Sequence, residues 1–213
     1  MSETSLVIKN DILIIAYYLK EYGWREVNKS TFQRLLYFSA VLSPIFMPKE
    51  EWAYNFANTL FGPYNNELSV EINDLETKGF LVLEERKIYS NRVEDRFTIS
   101  QYGIDIFEKR LLSIDTLKSK ISWFNVLVRT LSLYGEEFLS KLVKEDPNIY
   151  YQNEMNRRSR LITDDSSDNL SKEFFEFIKE KGIGEDINLA NNQDYLLLFF
   201  DVLYQKYKGG KEN

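Results

Sequence analysis

The sequence predicts a mainly α-helical protein that carries one small β-hairpin. Three observations lead there. Apolar residues recur three and four apart along most of the chain, the mark of helices that bury one face. The pattern switches to period two only briefly, most clearly between Phe80 and Ile99. Periodic runs stop at glycine or proline, as at Gly23, Pro44, Gly79 and Asp146-Pro147, where helices normally end.

The first helix is expected from Asp11 to Tyr22, capped by Asn10 and stopped by Gly23, with Ile12, Ile15, Ala16 and Leu19 on its buried face. A second begins with Ser30-Thr31-Phe32-Gln33, the pattern of a reciprocal capping box. It is ended by Pro44 and Pro48. From Glu51 to Phe61, Trp52, Tyr54, Phe56, Asn58 and Leu60 alternate with smaller or polar residues, which predicts a short strand or extended segment followed by a turn at Gly62-Pro63-Tyr64-Asn65. A third helix is predicted from Asn66 to Lys78, burying Leu68, Ile72 and Leu75 and ending at Gly79.

Phe80 to Arg86 and Arg92 to Ile99 read as two strands joined at Tyr89-Ser90-Asn91. Ser100 then caps a helix from Gln101 to Leu112. A hairpin behind a third helix is the wing of a winged helix-turn-helix, so residues 1–115 are expected to form that module. Residues 116–213 are expected to form a C-terminal helical domain. In it, Ile121, Phe124, Val128 and Leu131 share one helix face, and Phe138, Leu139, Leu142 and Val143 belong to a second helix ending before Asp146-Pro147. Thr163 to Ser171 reads as a polar loop whose last residue caps a helix to Lys181; Gly182 and Gly184 break it. The final helix, Gln193 to Tyr207, is apolar around so much of its circumference that part of it is expected to face another protein.

Composition limits the chemistry. The chain has neither histidine nor cysteine, which excludes a Ser-His-Asp triad, a cysteine nucleophile and a zinc finger. Carboxylates are abundant, but abundance places them on solvated helix faces. The reading is therefore of a protein that is not an enzyme and needs no cofactor or metal. No apolar run reaches bilayer length and the N-terminal stretch lacks the pattern of a signal peptide, so a soluble, cytoplasmic protein is expected.

The net charge of −6 argues against a surface that attracts a polyanion. The predicted third helix carries Glu67, Glu71, Asp74 and Glu76 against Lys78, and the hairpin has four acids and four bases; both argue against base readout in a major groove. Arg157, Arg158 and Arg160 form the one compact basic cluster. They are candidates for DNA-backbone contact, with pairing to Glu154, Asp164 and Asp165 as the alternative. The acidic run from Asp164 to Asp168 lacks the glycine and distant glutamate of a calcium loop and reads as a solvated loop. Aromatic density around Phe61-Gly62-Pro63-Tyr64 marks a rigid turn of the composition interfaces favour. Phe61, Pro63 and Tyr64, with Phe199 and Leu203 of the last helix, are the candidate partner-binding residues.

Two longer stretches, Phe32-Gln33-Arg34-Leu35-Leu36-Tyr37-Phe38 and Phe61-Gly62-Pro63-Tyr64-Asn65-Asn66-Glu67-Leu68, resemble the "Q-K-L-x-Y" and "Y-G-P-Y-S-x-E-L" pattern of a group of small prokaryotic winged-helix proteins. Tyr134-Gly135 and Leu142-Val143-Lys144-Glu145-Asp146-Pro147 resemble its "L-V-Y-x-D-P" element. The group includes middle components of ABC-three-component systems and the small subunit of Lamassu-type antiviral systems, and it shades into antitoxin-like Panacea domains. The resemblance covers residues 10 to 150, with Arg34 in place of the usual lysine and Asn65 in place of serine. It implies a non-catalytic adaptor that works with an SMC-like ATPase and an effector subunit and meets DNA only through the complex. The alternative is a transcription regulator or antitoxin.

Overall fold

The computed structural model describes residues 3–90, 93–157, 159–182 and 191–209. In chain order the elements are α1 (Glu3–Glu21), β1 (Val27–Asn28), α2 (Lys29–Val41), α3 (Ser43–Phe46), β2 (Phe56–Thr59), β3 (Gly62–Tyr64), α4 (Asn66–Thr77), β4 (Leu81–Ile88) and β5 (Val93–Ile99). There follow α5 (Gln101–Lys109), α6 (Lys118–Ser132), α7 (Glu136–Glu145), α8 (Pro147–Glu154), β6 (Arg160–Leu161), α9 (Leu170–Gly182) and α10 (Asn192–Gly209). The protein is mainly helical, with two small antiparallel sheets ordered β1-β5-β4 and β3-β2-β6. Among the described residues no helix is long and apolar enough to cross a membrane.

The chain divides into two compact units, Met1–Leu36 with Asn65–Ser132, and Tyr37–Tyr64 with Leu133–Asn213. The break expected at residue 115 is thus replaced by a discontinuous division. The physical reason is visible at both crossings. Ile121, Phe124, Val128 and Leu131 of α6 are buried, and α6 packs on α1 of the first unit. Tyr37 and Phe38, in the second half of α2, are buried among rings of the second unit. The first unit holds fifteen basic and fifteen acidic residues and the second twelve and eighteen, so the net charge resides in the second.

In the first unit α1 begins at Glu3 rather than Asp11. Ile8 extends the stripe of Ile12, Ile15 and Leu19 by one turn, and Asn10 lies inside the helix. Buried Asp11 is paired with Lys120 Nζ at 3.1 Å. The capping box also shifts. The cap of α2 is Asn28, whose Oδ1 accepts from the Thr31 N–H at 2.9 Å. Helix α4 matches the sequence closely: Asn65 Oδ1 accepts from the Leu68 N–H at 2.8 Å, and Leu68, Ile72 and Leu75 are buried. The β4–β5 hairpin is joined by β1 on the far side of β5; Asn91 and Arg92 of the expected turn and strand lie outside the described residues. Ser100 caps α5, accepting from the Gly103 N–H at 2.9 Å. Gly103 sits so close to the residue that leads into β4 that a Cβ there would lie 2.4 Å from the Phe80 carbonyl oxygen.

In the second unit the turn moves. Gly62-Pro63-Tyr64 is a strand, and the chain reverses two residues earlier, at Leu60-Phe61. Gly62 absorbs the reversal with φ of 101°, a region that non-glycine residues enter only with strain. Helix α7 ends before Asp146 as expected, and Pro147 opens α8, since proline is well suited to a first helical position. Asn169, not Ser171, caps α9, accepting from the Lys172 N–H at 3.2 Å. Gly184 lies outside the described residues.

The largest correction concerns α10. Its residues Tyr195, Leu196, Phe199, Phe200 and Leu203 form one broad stripe and all are buried. Phe199 meets Phe174, Phe175 and Phe200 with centroids 5.9, 6.0 and 5.2 Å apart. Phe199 and Leu203 are therefore core residues of the second unit and not a docking surface. Helix α10 packs against both α7 and α9, and two neighbours bury a wider face than one would.

Candidate functional site

The β2–β3 hairpin of the second unit is braced by β6 and by buried rings at its base. Period-two alternation turns Tyr54, Phe56 and Asn58 inward. Phe56 packs against Tyr37 and Tyr54, each 5.8 Å away between centroids, and β6 pairs along its other side. The Asn58 N–H donates to the Ser159 carbonyl at 3.1 Å, and its Nδ2 to Asn153 Oδ1 at 3.1 Å. On this support stand Leu60 and Phe61, 71% and 84% exposed. The tip is held by Thr59, whose Oγ1 accepts from the Phe61 N–H and donates to the Gly62 carbonyl at 2.8 Å.

Of the three hairpin residues singled out by sequence, Phe61 and Tyr64 reach the surface and Pro63 is buried. Pro63 acts as a strut. It is also the middle residue of an edge strand and has no N–H to offer, which closes that edge to strand addition. What the hairpin presents is side chains.

Below the hairpin lies a buried polar network. Tyr37 Oη donates to Asp146 Oδ2 at 2.6 Å, and Ser171 Oγ reaches both Asp146 oxygens at 2.8 and 2.9 Å. Asn148 Oδ1 accepts from the Leu170 N–H at 2.9 Å, and Asn169 Nδ2 donates to the Val41 carbonyl at 2.8 Å. Burial pushes the Asp146 carboxyl up to about 6, against the opposing pull of the Tyr37 and Ser171 hydroxyls. Burial, with the Asp146 charge beside it, also pushes the Tyr37 hydroxyl well above its ordinary range. Tyr37, Asp146 and Ser171 are all fully enclosed, so this cluster ties helices together.

The charged candidates are mostly spoken for. Arg157 is exposed, Arg158 lies outside the described residues, and Arg160 sits on β6, where its charge helps to hold the Asp164 carboxyl below the usual range after the hydrogen bonds from Ser166. Asp165 pairs with Lys172 at 2.7 Å. On the β4–β5 hairpin, Arg86 grips Asp95 at 2.6 and 2.9 Å, and Lys87 pairs with Glu85. Helix α4 differs from its sequence reading in one respect. Lys9 binds Glu71 and Asp74 at 3.0 and 2.6 Å, so two of its four acids face α1. The exposed stripe is Asn66, Val70, Asn73 and Thr77, with Glu67 beside it.

The chain matches no family model and no curated protein. The resemblance therefore rests on the short stretches themselves, and the structure shows what those residues do. Gln33 of the first stretch holds Asn65 of the second, within one unit; Tyr37 of the first holds Asp146 of the third, within the other. Leu60 was missed because the inward alternation that includes Asn58 assigns it to the core, and only the position of the reversal exposes it.

Proposed function

We propose that this chain is a non-catalytic adaptor that docks onto a larger protein through the Leu60–Phe61 hairpin tip. The observation that carries the reading is that two large apolar side chains stand on a tight turn where Gly, Asn or Asp is usual, on a hairpin fixed at its base. Covering them would remove apolar area worth roughly 25 cal/mol per Å² from water. The order helix, strand, helix, helix, hairpin in the first unit, with β1 beside β5, supports reading that unit as a winged helix. Together with the quoted stretches it favours the partner implied by the resemblance, an SMC-like ATPase in a cytoplasmic anti-phage complex that also holds an effector subunit and engages DNA.

The test is co-expression of the tagged chain with such an ATPase, for the native protein and for a variant with Leu60→Ser and Phe61→Ser. Retention of the ATPase by the native chain and its loss from a variant that melts normally are expected. Equal retention by both, or a native chain that elutes alone, overturns the proposal. The exposed neutral stripe of α4 favours a second reading, a DNA-binding regulator or antitoxin. Duplex binding that survives moderate salt and is abolished by Asn73→Ala would establish that reading instead.

A further inference from the structure

The edges of the two sheets differ in what they offer. The edge at β3 is closed by Pro63, and the edge strands β1 and β6 are only 2 residues long. Strand β4 has 8 residues, contains no proline and lies at the edge of its sheet. Among the described residues no strand pairs with its outer side. Such an edge carries a row of unpaired N–H and C=O groups, a template for another strand. Edges are commonly guarded by charge or by a bulge. Strand β4 has both, since its register against β5 slips between Leu83 and Glu85, and Glu84, Glu85, Arg86 and Lys87 follow one another. The order of those charges decides which strand is refused and which is admitted.

Opposite residues of an antiparallel pair share a face. Glu85 stands opposite Arg96 and Lys87 opposite Glu94, so these two lie on one face, and their ion pair at 2.9 Å agrees. Arg86, opposite Asp95, and Ile88, opposite Val93, lie on the other. We propose that two copies of this chain join edge to edge through β4, antiparallel about a two-fold axis at Arg86, so that their sheets become one. In that register Glu85 of each copy faces Lys87 of the other. An axis at Glu85 or at Lys87 would set like charges directly opposite, and an axis between residues would bring opposite faces together, which the pleat forbids. Each Arg86 at the axis is already held by its own Asp95 at 2.6 and 2.9 Å, so the two guanidinium groups do not meet uncompensated. Ile88, 77% exposed in the single chain, comes to lie diagonally across from Arg86 of the second copy and covers its aliphatic stem. A strand of uniform charge is refused, because either Glu85 or Lys87 repels it. This edge is separate from the hairpin tip and does not depend on the docking proposed there.

The experiment is sedimentation of the purified full chain over a concentration series, with hydrogen exchange read at the β4 amides. A dimer with a dissociation constant between about 1 µM and 1 mM is expected, the range of a small interface that forms and parts readily. Exchange from Glu85 to Ile88 should slow as the dimer fills. Glu85→Lys and Lys87→Glu alone should each weaken the dimer about tenfold or more, because each sets two like-charge pairs across the axis. Mixed in equal amounts, these two variants should associate with each other, since every acid then faces a base. The double variant Glu85→Lys, Lys87→Glu should dimerise as the native chain does; it keeps the charge of the strand and carries the test if melting curves show that a single variant does not fold. The Leu60→Ser, Phe61→Ser variant should also dimerise normally, so either proposal can fail alone. A native chain that stays monomeric up to about 1 mM, a dimer left intact by both single variants, or folded single variants that fail to associate when mixed each overturn the inference. So does slowing of the β4 amides only when the ATPase is added, which would assign the edge to that partner instead.

Discussion

Gln33 and Asn65 exchange two hydrogen bonds: Gln33 Nε2 donates to the Asn65 carbonyl at 2.8 Å, and the Asn65 N–H donates to Gln33 Oε1 at 2.8 Å. One side-chain amide thus stands in for a strand partner at the residue that caps α4. Removing it breaks both of these part-buried bonds, each worth a net of about 0.5–1.5 kcal/mol.

Gln33→Ala is therefore expected to destabilise the chain by about 1 to 3 kcal/mol, read as a lower midpoint in urea with an unchanged slope. Asn65→Ser should remain within about 0.5 kcal/mol of the native chain because serine also caps, and Asn65→Ala should cost about 1 kcal/mol. A neutral Gln33→Ala would show that the loop is held by packing instead.

Asp146 gives a pH dependence. Its carboxyl titrates at about 6 in the folded chain, above its unfolded value near 3.9, so the stability tied to its protonation is fully present below about pH 4. It is lost as pH rises through about 6, by an amount on the order of 3 kcal/mol. Asp146→Asn has no such titration. Its unfolding free energy should change less than the native chain's between pH 4 and pH 7. Parallel pH profiles for the two proteins would contradict the assignment.

Tyr37→Phe removes one of the hydroxyls that stabilise the buried carboxylate. A loss of about 1–3 kcal/mol at pH 7 is expected, and it should shrink toward pH 4, where Asp146 is protonated. Measuring the same variant in the Asp146→Asn background shows whether the two residues act as a pair.

Phe61→Asp and Phe199→Asp separate surface from core. The first exposes no new cavity and should leave the melting temperature nearly unchanged. The second places a charge among Phe174, Phe175 and Phe200 and should prevent folding, a cost of about 4 kcal/mol or more. Equal effects would mean that the hairpin tip is packed in solution.

Gly103→Ala should destabilise strongly, because the added methyl would meet the Phe80 carbonyl oxygen at 2.4 Å and Ile99 Cγ1 at 2.8 Å. A loss of about 2 kcal/mol or more is expected, in a helix where alanine is otherwise the better former.

The sequence by itself determined the local elements. Asn65, the stripe of Leu68, Ile72 and Leu75, and Gly79 define α4 without outside help, because caps and periodicity act over a single turn or two. The same holds for Ser100 at α5 and for the end of α7 before Asp146-Pro147. Tertiary structure decided what competes between equal local choices. Asn28 and Ser30 both suit an N-cap, and β1, which pairs with β5 and ends at Asn28, places the helix start at the first. Gln33 was free to close a capping box or to reach Asn65, thirty-two positions away, and only the folded chain offers the second partner. The composition of α10 was legible, but whether its wide apolar face meets solvent, a partner or its own unit depends on how many helices surround it. The rings of Phe38, Phe174 and Phe175, remote in sequence, settle that by burying it. The exposed tip at Leu60 and Phe61 was hidden for the same reason. Alternation tells which residues share a face, and only the point at which the strand reverses tells which of them run out of sheet to cover.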